Sequence, residues 1–266
     1  MNILPVVVLY NVDFGATNVY RSLLAHFPEQ RILLYENSPE PLNAKYESAL
    51  IAYRHDPLNG GVSAAYNEGA HEAALCGGID ALLLLDEDTQ FPHDYLSVLL
   101  AQAEAHPDID LFVPQVIYGT NLPFSPTRRN LCLQRGAMLT EGIYSLRQYL
   151  PVNSGACIRL QAFQKAGSYN PAIRLDFADF DFFSRLAEIS DRFYLIDCVA
   201  RQSFSNEEHR QEHLFRRFQF YVEGAREARQ NKLISKMVAV DIWRHTLALT
   251  LRTRSPRFLT YLIQNI

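Results

Sequence analysis

Leu82-Leu83-Leu84-Leu85-Asp86-Glu87-Asp88-Thr89 is an unbroken apolar run that stops abruptly at three acids. Such a run reads as a buried strand, and carboxylates at its C-terminal end stand where open α/β sheets bind ligands. Side chains alternate along a strand, so Asp86 and Asp88 address one side while Glu87 points elsewhere. Hard divalent cations, Mg²⁺ and Mn²⁺, take oxygen ligands of this kind and share their remaining positions with substrate phosphates. A solvated acidic turn after a strand is the competing reading of the tripeptide.

Outward from this stretch, β-rich runs alternate with helical patterns, which argues βαβ units and a mostly parallel sheet. Strands are expected over Leu4–Tyr10, Arg31–Tyr35, Leu50–Tyr53, Ala81–Leu85 and Leu111–Val116. Helical spacing marks Val19–Phe27 and Ala64–Leu75, and His93–His106 up to Pro107. From Tyr118 to Leu150 the pattern weakens, as for a flexible substrate loop with a short strand at Ile143–Leu146. Order returns at Val152–Arg159, a short helix over Gln161–Ala166 is closed by Gly167, and a helix follows over Asp179–Ile189.

Ser205-Asn206-Glu207-Glu208 has capping-box spacing, and Leu214, Phe215, Phe218, Tyr221, Val222 and Ala225 form a stripe at helical period. Ile234–Leu251 continues helical, with Trp243 and the basic Arg244, Arg252, Arg254 and Arg257 near its end. That segment packs on the body or lies on a membrane. The chain thus divides into residues 1–204, an α/β unit, and residues 205–266, a helical extension.

The composition is that of a globular protein: 266 residues, 48% apolar, 20% charged, net charge −4. The four cysteines, Cys76, Cys132, Cys157 and Cys198, have no paired spacing, so neither a zinc ribbon nor a disulfide scaffold is indicated and buried thiols are expected. Residues 3–9 lack a basic leader and a cleavage site, which makes them a strand and the protein cytoplasmic by expectation. No apolar run approaches the roughly 18 residues of a membrane span, so any membrane contact is peripheral. Residues 201–266 hold twelve Lys/Arg against six Asp/Glu, while the first 200 hold thirteen against twenty-three. A basic tail on an acidic body is either a solvated face or a surface attracted to anionic lipid. Nothing points to nucleic acid.

Two further stretches carry chemistry. Asn59-Gly60-Gly61-Val62-Ser63-Ala64-Ala65-Tyr66-Asn67-Glu68-Gly69 is a small-residue turn entering a helix, whose N-terminus offers N–H groups to a diphosphate; a tight, closely packed turn is the alternative. It matches neither a dinucleotide fingerprint nor a P-loop. Asp176-Phe177-Ala178-Asp179-Phe180-Asp181-Phe182-Phe183-Ser184-Arg185 interleaves three carboxylates with aromatics. Aromatic walls raise a carboxyl toward a value useful for a general base, although acids at a helix start are also stabilised by its dipole.

The ordered set of these motifs, with Asn153-Ser154-Gly155-Ala156-Cys157-Ile158-Arg159 between the last two, resembles the inverting family 2 glycosyltransferases of GT-A fold over residues 3–200. Leu83–Thr89 together with Phe112–Gly119 is most similar to rhamnosyltransferases of bacterial surface-polysaccharide assembly. The resemblance implies a Rossmann-like, mostly parallel sheet flanked by helices, with a C-terminal helical extension. It implies transfer of a sugar, rhamnose favoured, from a nucleotide-diphosphate donor to a hydroxyl of a growing glycan or lipid-linked glycan, with a divalent cation, Mn²⁺ or Mg²⁺.

By that resemblance Tyr10, Asn11, Glu36 and Asn37 lie beside the nucleotide, and Asn59, Gly61 and Asn67 form the glycine- and asparagine-rich donor motif. Asp86 and Asp88 are the acid pair, Asp88 holding the cation and Asp86 nearer the ribose or sugar. Asp179 falls on the catalytic aspartate, with Asp181 and Arg185 as companions and Asp176 sharing acceptor binding or acting as base. Relatives carry a metal-binding histidine shortly after the last strand, where this chain reads Val199-Ala200-Arg201-Gln202-Ser203, with His209 and His213 following. A nucleotidyltransferase, or a non-catalytic binding module of the same fold, is the alternative function. Docking on the inner membrane and self-association through the C-terminal helices stay open.

Overall fold

β1 (Ile3–Leu9) leads through a short helix, α1 (Asn18–Ser22), to β2 (Ile32–Glu36), β3 (Ile51–His55) and α2 (Gly61–Cys76). The acid-tipped strand is β4 (Ala81–Asp86), followed by β5 (Thr89–Gln90), α3 (Tyr95–Ala105) and β6 (Leu111–Tyr118). Four short strands come next: β7 (Leu122–Ser125), β8 (Thr127–Arg128), β9 (Gly142–Ser145) and β10 (Tyr149–Leu150). Then come β11 (Cys157–Arg159), α4 (Leu160–Lys165), α5 (Ala178–Leu186) and β12 (Arg192–Gln202). The chain ends in three helices, α6 (Gln211–Ala228), α7 (Ser235–Thr253) and α8 (Arg257–Asn265). This computed structural model describes residues 1–119, 121–129, 136, 138–203 and 211–266. The expected capping box at 205–208, His209 and Cys132 lie outside the described residues.

The main sheet runs β3-β2-β1-β4-β11-β6-β12-β5. Strands β3, β2, β1 and β4 are mutually parallel, β11 enters antiparallel between β4 and β6, and β12 is parallel to β6. The sheet is therefore parallel over β3, β2, β1 and β4 and mixed beyond them, which is the expected GT-A architecture.

The alternation of β4 explains why it is apolar throughout. Leu82 and Leu84 pack into one core with α2, α4, α5 and the C-terminal helices, whereas Ala81, Leu83 and Leu85 pack into a second core with α1 and α3. A strand covered on both faces has no solvent side to carry polar residues. On the first face Gly69 of α2 lies so close to β1 that an added Cβ would stand 2.4 Å from Val6 Cγ2.

Two expectations are corrected. The helix expected over Val19–Phe27 breaks after Ser22 and resumes as a single 3₁₀ turn at Leu24–His26, because adjacent Leu23 and Leu24 both reach the core. The helix expected to fade at Leu251 is followed by another: Arg254, at φ 51°, ends α7, and Pro256 starts α8.

The final segment packs on the body. Phe218, Val222, Val238, Ile242, Phe258 and Leu262 are buried in the same core as Phe177 and Phe182 of the acid-aromatic stretch. Among the described residues no helix is long and apolar enough to cross a membrane. Of the cysteines, Cys157 and Cys198 are buried free thiols and Cys76 is a half-buried one.

Candidate active site

Three acids end β4, and each meets a different partner. Asp86 Oδ1 accepts the Tyr66 hydroxyl at 3.3 Å and Oδ2 accepts Ser154 Oγ. Burial raises its carboxyl against those two hydrogen bonds. Glu87 turns away, as the alternation requires, and Oε2 accepts the Tyr10 N–H at 2.8 Å. Burial, with the charges of Asp88 and Asp86, pushes Glu87 up to about 7 against that hydrogen bond. Asp88 is likewise pushed up to about 7, by burial and by Asp86, while Gln202 Nε2 reaches its Oδ1 at 3.5 Å. The turn is pinned from outside: Asn18 donates its N–H to the Glu87 carbonyl at 3.0 Å and its side-chain amide to the Asp88 carbonyl at 2.9 Å.

Within electrostatic reach of Asp86 stands the start of α5. Phe177 precedes the helix in the left-handed region at φ 71°, a conformation rare for a bulky residue, and this turn sets the direction in which Asp179 leaves the first helical turn. Asp179 Oδ1 accepts the Phe180 N–H at 2.8 Å. Burial comes first among the causes that push its carboxyl up to about 7, followed by the charges of Asp86 and Asp176. A carboxyl poised there accepts a proton at neutral pH more readily than an ordinary aspartate.

The neighbouring acids are engaged elsewhere. Asp176 Oδ1 pairs with Arg217 of α6 at 3.4 Å, and its Oδ2 is buried without a partner. Asp181 forms an ion pair with Arg185 at 3.0 Å and accepts the Asn231 side-chain amide at 3.2 Å. Arg185 also donates to the Ala166 carbonyl at the end of α4, leaving Nη2 buried without a partner. Asp181 and Arg185 thus tie α5 to α4 and to the α6–α7 connection.

On the other flank, the end of β1 presents Tyr10, 49% exposed, and Asn11 at φ 54°. Asn11 N–H donates to Ser38 Oγ at 2.8 Å. Glu36 is fully buried: its carboxylate accepts from Ser38 Oγ at 2.8 Å, from the backbone and side chain of Asn43, both at 3.0 Å, and from Tyr53 OH at 2.6 Å. Burial alone would raise this carboxyl, but hydrogen bonds from Tyr53, Ser38 and Asn43 hold it below the ordinary value. Glu36 therefore organises the 37–43 loop from beneath.

The glycine-rich turn, expected to offer N–H groups to a diphosphate, is closed by the protein itself. Gly60 N–H donates to Asp56 Oδ2 at 2.7 Å, Gly61 N–H to Asn37 Oδ1 at 3.1 Å and Val62 N–H to the Arg174 carbonyl at 2.8 Å. Gly61 has φ 76°, and a Cβ there would stand 1.9 Å from the Arg174 oxygen. Asn59, at φ 53°, makes the preceding turn. Asn67 clamps Tyr169, accepting its N–H at 2.8 Å and donating to its carbonyl at 2.9 Å. The close-packing alternative thus describes this turn, which carries the Asp176–Asp179 loop on α2.

The structure accordingly places Asp86 within electrostatic reach of both Asp88 and Asp179, with Tyr10 tied to the same turn through Glu87. Residues the sequence reading passed over are Asn18, Tyr66, Ser154, Tyr169 and Gln202. Ser154 belongs to the Asn153–Arg159 motif and Gln202 to the stretch where a histidine was missing, so both had a signal. Two carboxylates at the end of β4, Asp86 raised by burial and Asp88 by burial and the charge of Asp86, form an oxygen donor set that fits a hard divalent cation. Among the described residues no three His, Cys, Asp or Glu side chains form a cage, as expected where water and substrate phosphates fill the remaining positions.

The fold has many relatives among solved structures. GalNAc-T7 with UDP, GalNAc and Mn²⁺ superposes with a TM-score of 0.56 at 13% identity, covering 76% of this chain and 44% of that one. Residues 1–349 of S. aureus TarS superpose with a TM-score of 0.53 in complex with UDP, at 14% identity, covering 85% and 65% of the two chains. The complex of the same TarS fragment with UDP-GlcNAc gives a TM-score of 0.55 at 13% identity, covering 85% and 66%. The chain thus spans less than half of GalNAc-T7 and about two thirds of the TarS fragment. No curated protein matches it in sequence. The family profile described as glycosyl transferase family 2 matches residues 6–162, more than half of the chain and the whole span from β1 through the acid-tipped strand to β11. With that match, on a GT-A sheet that ends in Asp86 and Asp88, the chain belongs to glycosyl transferase family 2.

Proposed function

We propose that the protein transfers a sugar from a nucleotide-diphosphate donor to an acceptor hydroxyl, with inversion at the anomeric carbon. The observation that supports this reading is Asp179, lifted to about 7 by burial and by the charges of Asp86, at the end of β4, and Asp176. In a single displacement the ionised Asp179 takes the hydroxyl proton as the new bond forms, while the nucleoside diphosphate leaves on the opposite face. Asp88 and Asp86 would hold a divalent cation, which would neutralise charge on the departing diphosphate. Carboxylates beside the ring also favour an oxocarbenium-like transition state electrostatically. Tyr10 and Asn11 lie along the nucleotide, over the loop that Glu36 holds. Asp176, with one oxygen buried and unpartnered, is assigned to acceptor binding on the resemblance. Rhamnose is the favoured sugar, on the resemblance of Leu83–Thr89 and Phe112–Gly119.

The test of this reading is thermal stabilisation across a panel of nucleotide sugars with and without Mn²⁺ or Mg²⁺. One donor is expected to raise Tm by several degrees only with the cation, as 100-fold saturation contributes about 2.7 kcal/mol. Asp88→Ala should abolish that cation-dependent increment. No shift with any donor would favour a binding module for some other ligand.

A lipid-linked acceptor is favoured by the outer face of α7. Trp243, Leu247 and Leu251, 42%, 49% and 77% exposed, recur at intervals of four residues and so share one face, with Lys236 seven residues before Trp243 on the same side. Residues 229–266 hold seven Lys/Arg against one acid. An apolar stripe in a basic surround suits the interface of an anionic bilayer. The protein should float with vesicles containing phosphatidylglycerol and not with phosphatidylcholine alone. Trp243→Glu combined with Leu251→Glu should reduce flotation about tenfold or more, since each exposed apolar side chain buried contributes about 1.5–3 kcal/mol. Unchanged, salt-insensitive flotation of the variant would remove the stripe from consideration.

A further inference from the structure

We propose that the donor site does not read the hydrogen-bonding edge of the nucleobase, so that uridine and cytidine diphosphates bind alike and the sugar selects the donor. The inference rests on the proposed transfer reaction, with the nucleoside over the carboxyl ends of β1 and β2, the strands next to β4 in the parallel part of the sheet. Uracil and cytosine share their size and stacking face but have opposite patterns on that edge. Uracil carries a ring N–H and a carbonyl where cytosine carries a bare ring nitrogen and an amino group. A carboxylate accepts from the ring N–H of the first and meets a lone pair on the second. Glu36, at the end of β2, is the acid on which such discrimination would depend.

The structure takes Glu36 out of reach. It is 0% exposed, and each of its oxygens already has two donors: Ser38 Oγ and Asn43 Nδ2 on Oε1, the Asn43 N–H and the Tyr53 hydroxyl on Oε2. Those four fill the lone-pair positions of a carboxylate. Asn43 is itself fully buried and ties the acid to the 12–14 segment, its Nδ2 reaching the Val12 carbonyl at 2.9 Å and its Oδ1 accepting the Phe14 N–H at 2.7 Å. A base that displaced one of these donors would leave it buried and unpaired. Neighbouring polar groups are turned inward in the same way. Ser38 Oγ also accepts the Asn11 N–H, the Ser38 carbonyl meets His55 Nε2 at 2.8 Å, and Asn37 Oδ1 takes the Gly61 N–H. Pro39 and Pro41 remove two further N–H donors from the exposed tip of the loop.

The groups left open to a base are tolerant ones. Tyr10, 49% exposed, offers aromatic surface, and every base has a π-face. Asn11 is exposed, and rotation of its terminal torsion exchanges donor for acceptor. Asn37 has only N–H groups left to give, for which both pyrimidines hold an acceptor. A site built to hydrogen-bond a substrate N–H rejects the analogue lacking it by about 10⁴-fold or more, which such a set of groups does not do.

The experiment is calorimetric titration of UDP, CDP, dTDP and GDP into wild type, Tyr10→Ala and Glu36→Gln, with Mn²⁺ present. Wild type is expected to bind UDP and CDP within about tenfold of each other, and Tyr10→Ala to weaken both by about tenfold. Glu36→Gln should weaken both to the same extent, since it disturbs the loop and not a base contact; the wild-type comparison stands whether or not that variant folds. A difference of more than tenfold between UDP and CDP on wild type would overturn the proposal and leave the functional reading intact. So would binding of dTDP or GDP alone, or a Glu36→Gln variant that loses UDP and keeps CDP. Wild type that binds none of the four nucleotides would overturn both.

Discussion

Asp179→Asn is expected to lower kcat by about 10²- to 10⁴-fold, the range that a positioned general base supplies, with the donor bound about as well as by wild type. The amide is isosteric with the carboxyl and keeps an oxygen for the Phe180 N–H, so the start of α5 keeps its geometry. What is lost is the ability to accept a proton. The pH dependence follows from the position of the carboxyl at about 7. A base works ionised, so the wild-type rate is full above that value and falls about tenfold per pH unit below it, whereas the residual rate of Asp179→Asn should lack this limb. A pH profile of initial rates on both proteins, with the cation saturating, checks the assignment. A variant as fast as wild type would pass the role to Asp176, whose Oδ2 is buried without a partner.

Gly61→Ala should be the most damaging single-methyl change in the molecule. The added carbon would stand 1.9 Å from the Arg174 carbonyl oxygen, which is backbone and already accepts the Val62 N–H. It would also have to adopt φ 76°. Strain in the left-handed region and displacement of a hydrogen-bonded loop together should cost about 3–5 kcal/mol, or about 6–20 °C in Tm for a domain of this size. Gly77→Ala is the control, since φ there is also positive, at 65°, yet an added Cβ meets nothing within 4 Å. Its cost should be only the backbone strain, about 1–3 kcal/mol, because φ 65° with ψ 155° is a region that side chains rarely adopt. Equal melting temperatures for the two variants would mean that the 61–174 contact contributes nothing to stability. Because the same contact carries the loop that leads to Asp179, Gly61→Ala should lower activity even at temperatures where it stays folded.

The β4 stretch was legible because two physical demands coincide in it. A strand covered on both faces must be apolar throughout, and a ligand-binding strand end must carry its polar groups just beyond the last buried residue. Leu82–Leu85 and Asp86–Asp88 meet both within seven residues. The helices with unbroken apolar periodicity, α2 and α3, were found within a few residues of their ends for the same reason.

The turn at Asn59–Gly61 was ambiguous because glycine at a helix start serves equally for phosphate approach and for backbone packing. Only the position of Arg174, more than a hundred residues along the chain, decides between them. Glu36 shows the converse limit. An acid at a strand end reads as a ligand contact, yet its four donors come from residues 38, 43 and 53, which sequence spacing cannot bring together. Gln202 lay in plain view as a departure from a resemblance, but its relation to Asp88 depends on the short β5 strand, two residues long and without a periodicity of its own.

The most direct test of the account is release of nucleoside diphosphate from a panel of nucleotide sugars, activated rhamnose among them, by wild type and Asp179→Asn at pH 8 with Mn²⁺. The account predicts that wild type turns over one donor, with water or an added glycan as acceptor, and that Asp179→Asn binds that donor and releases product at least 100-fold more slowly. Equal rates for the two proteins, or no turnover of any donor, would contradict it.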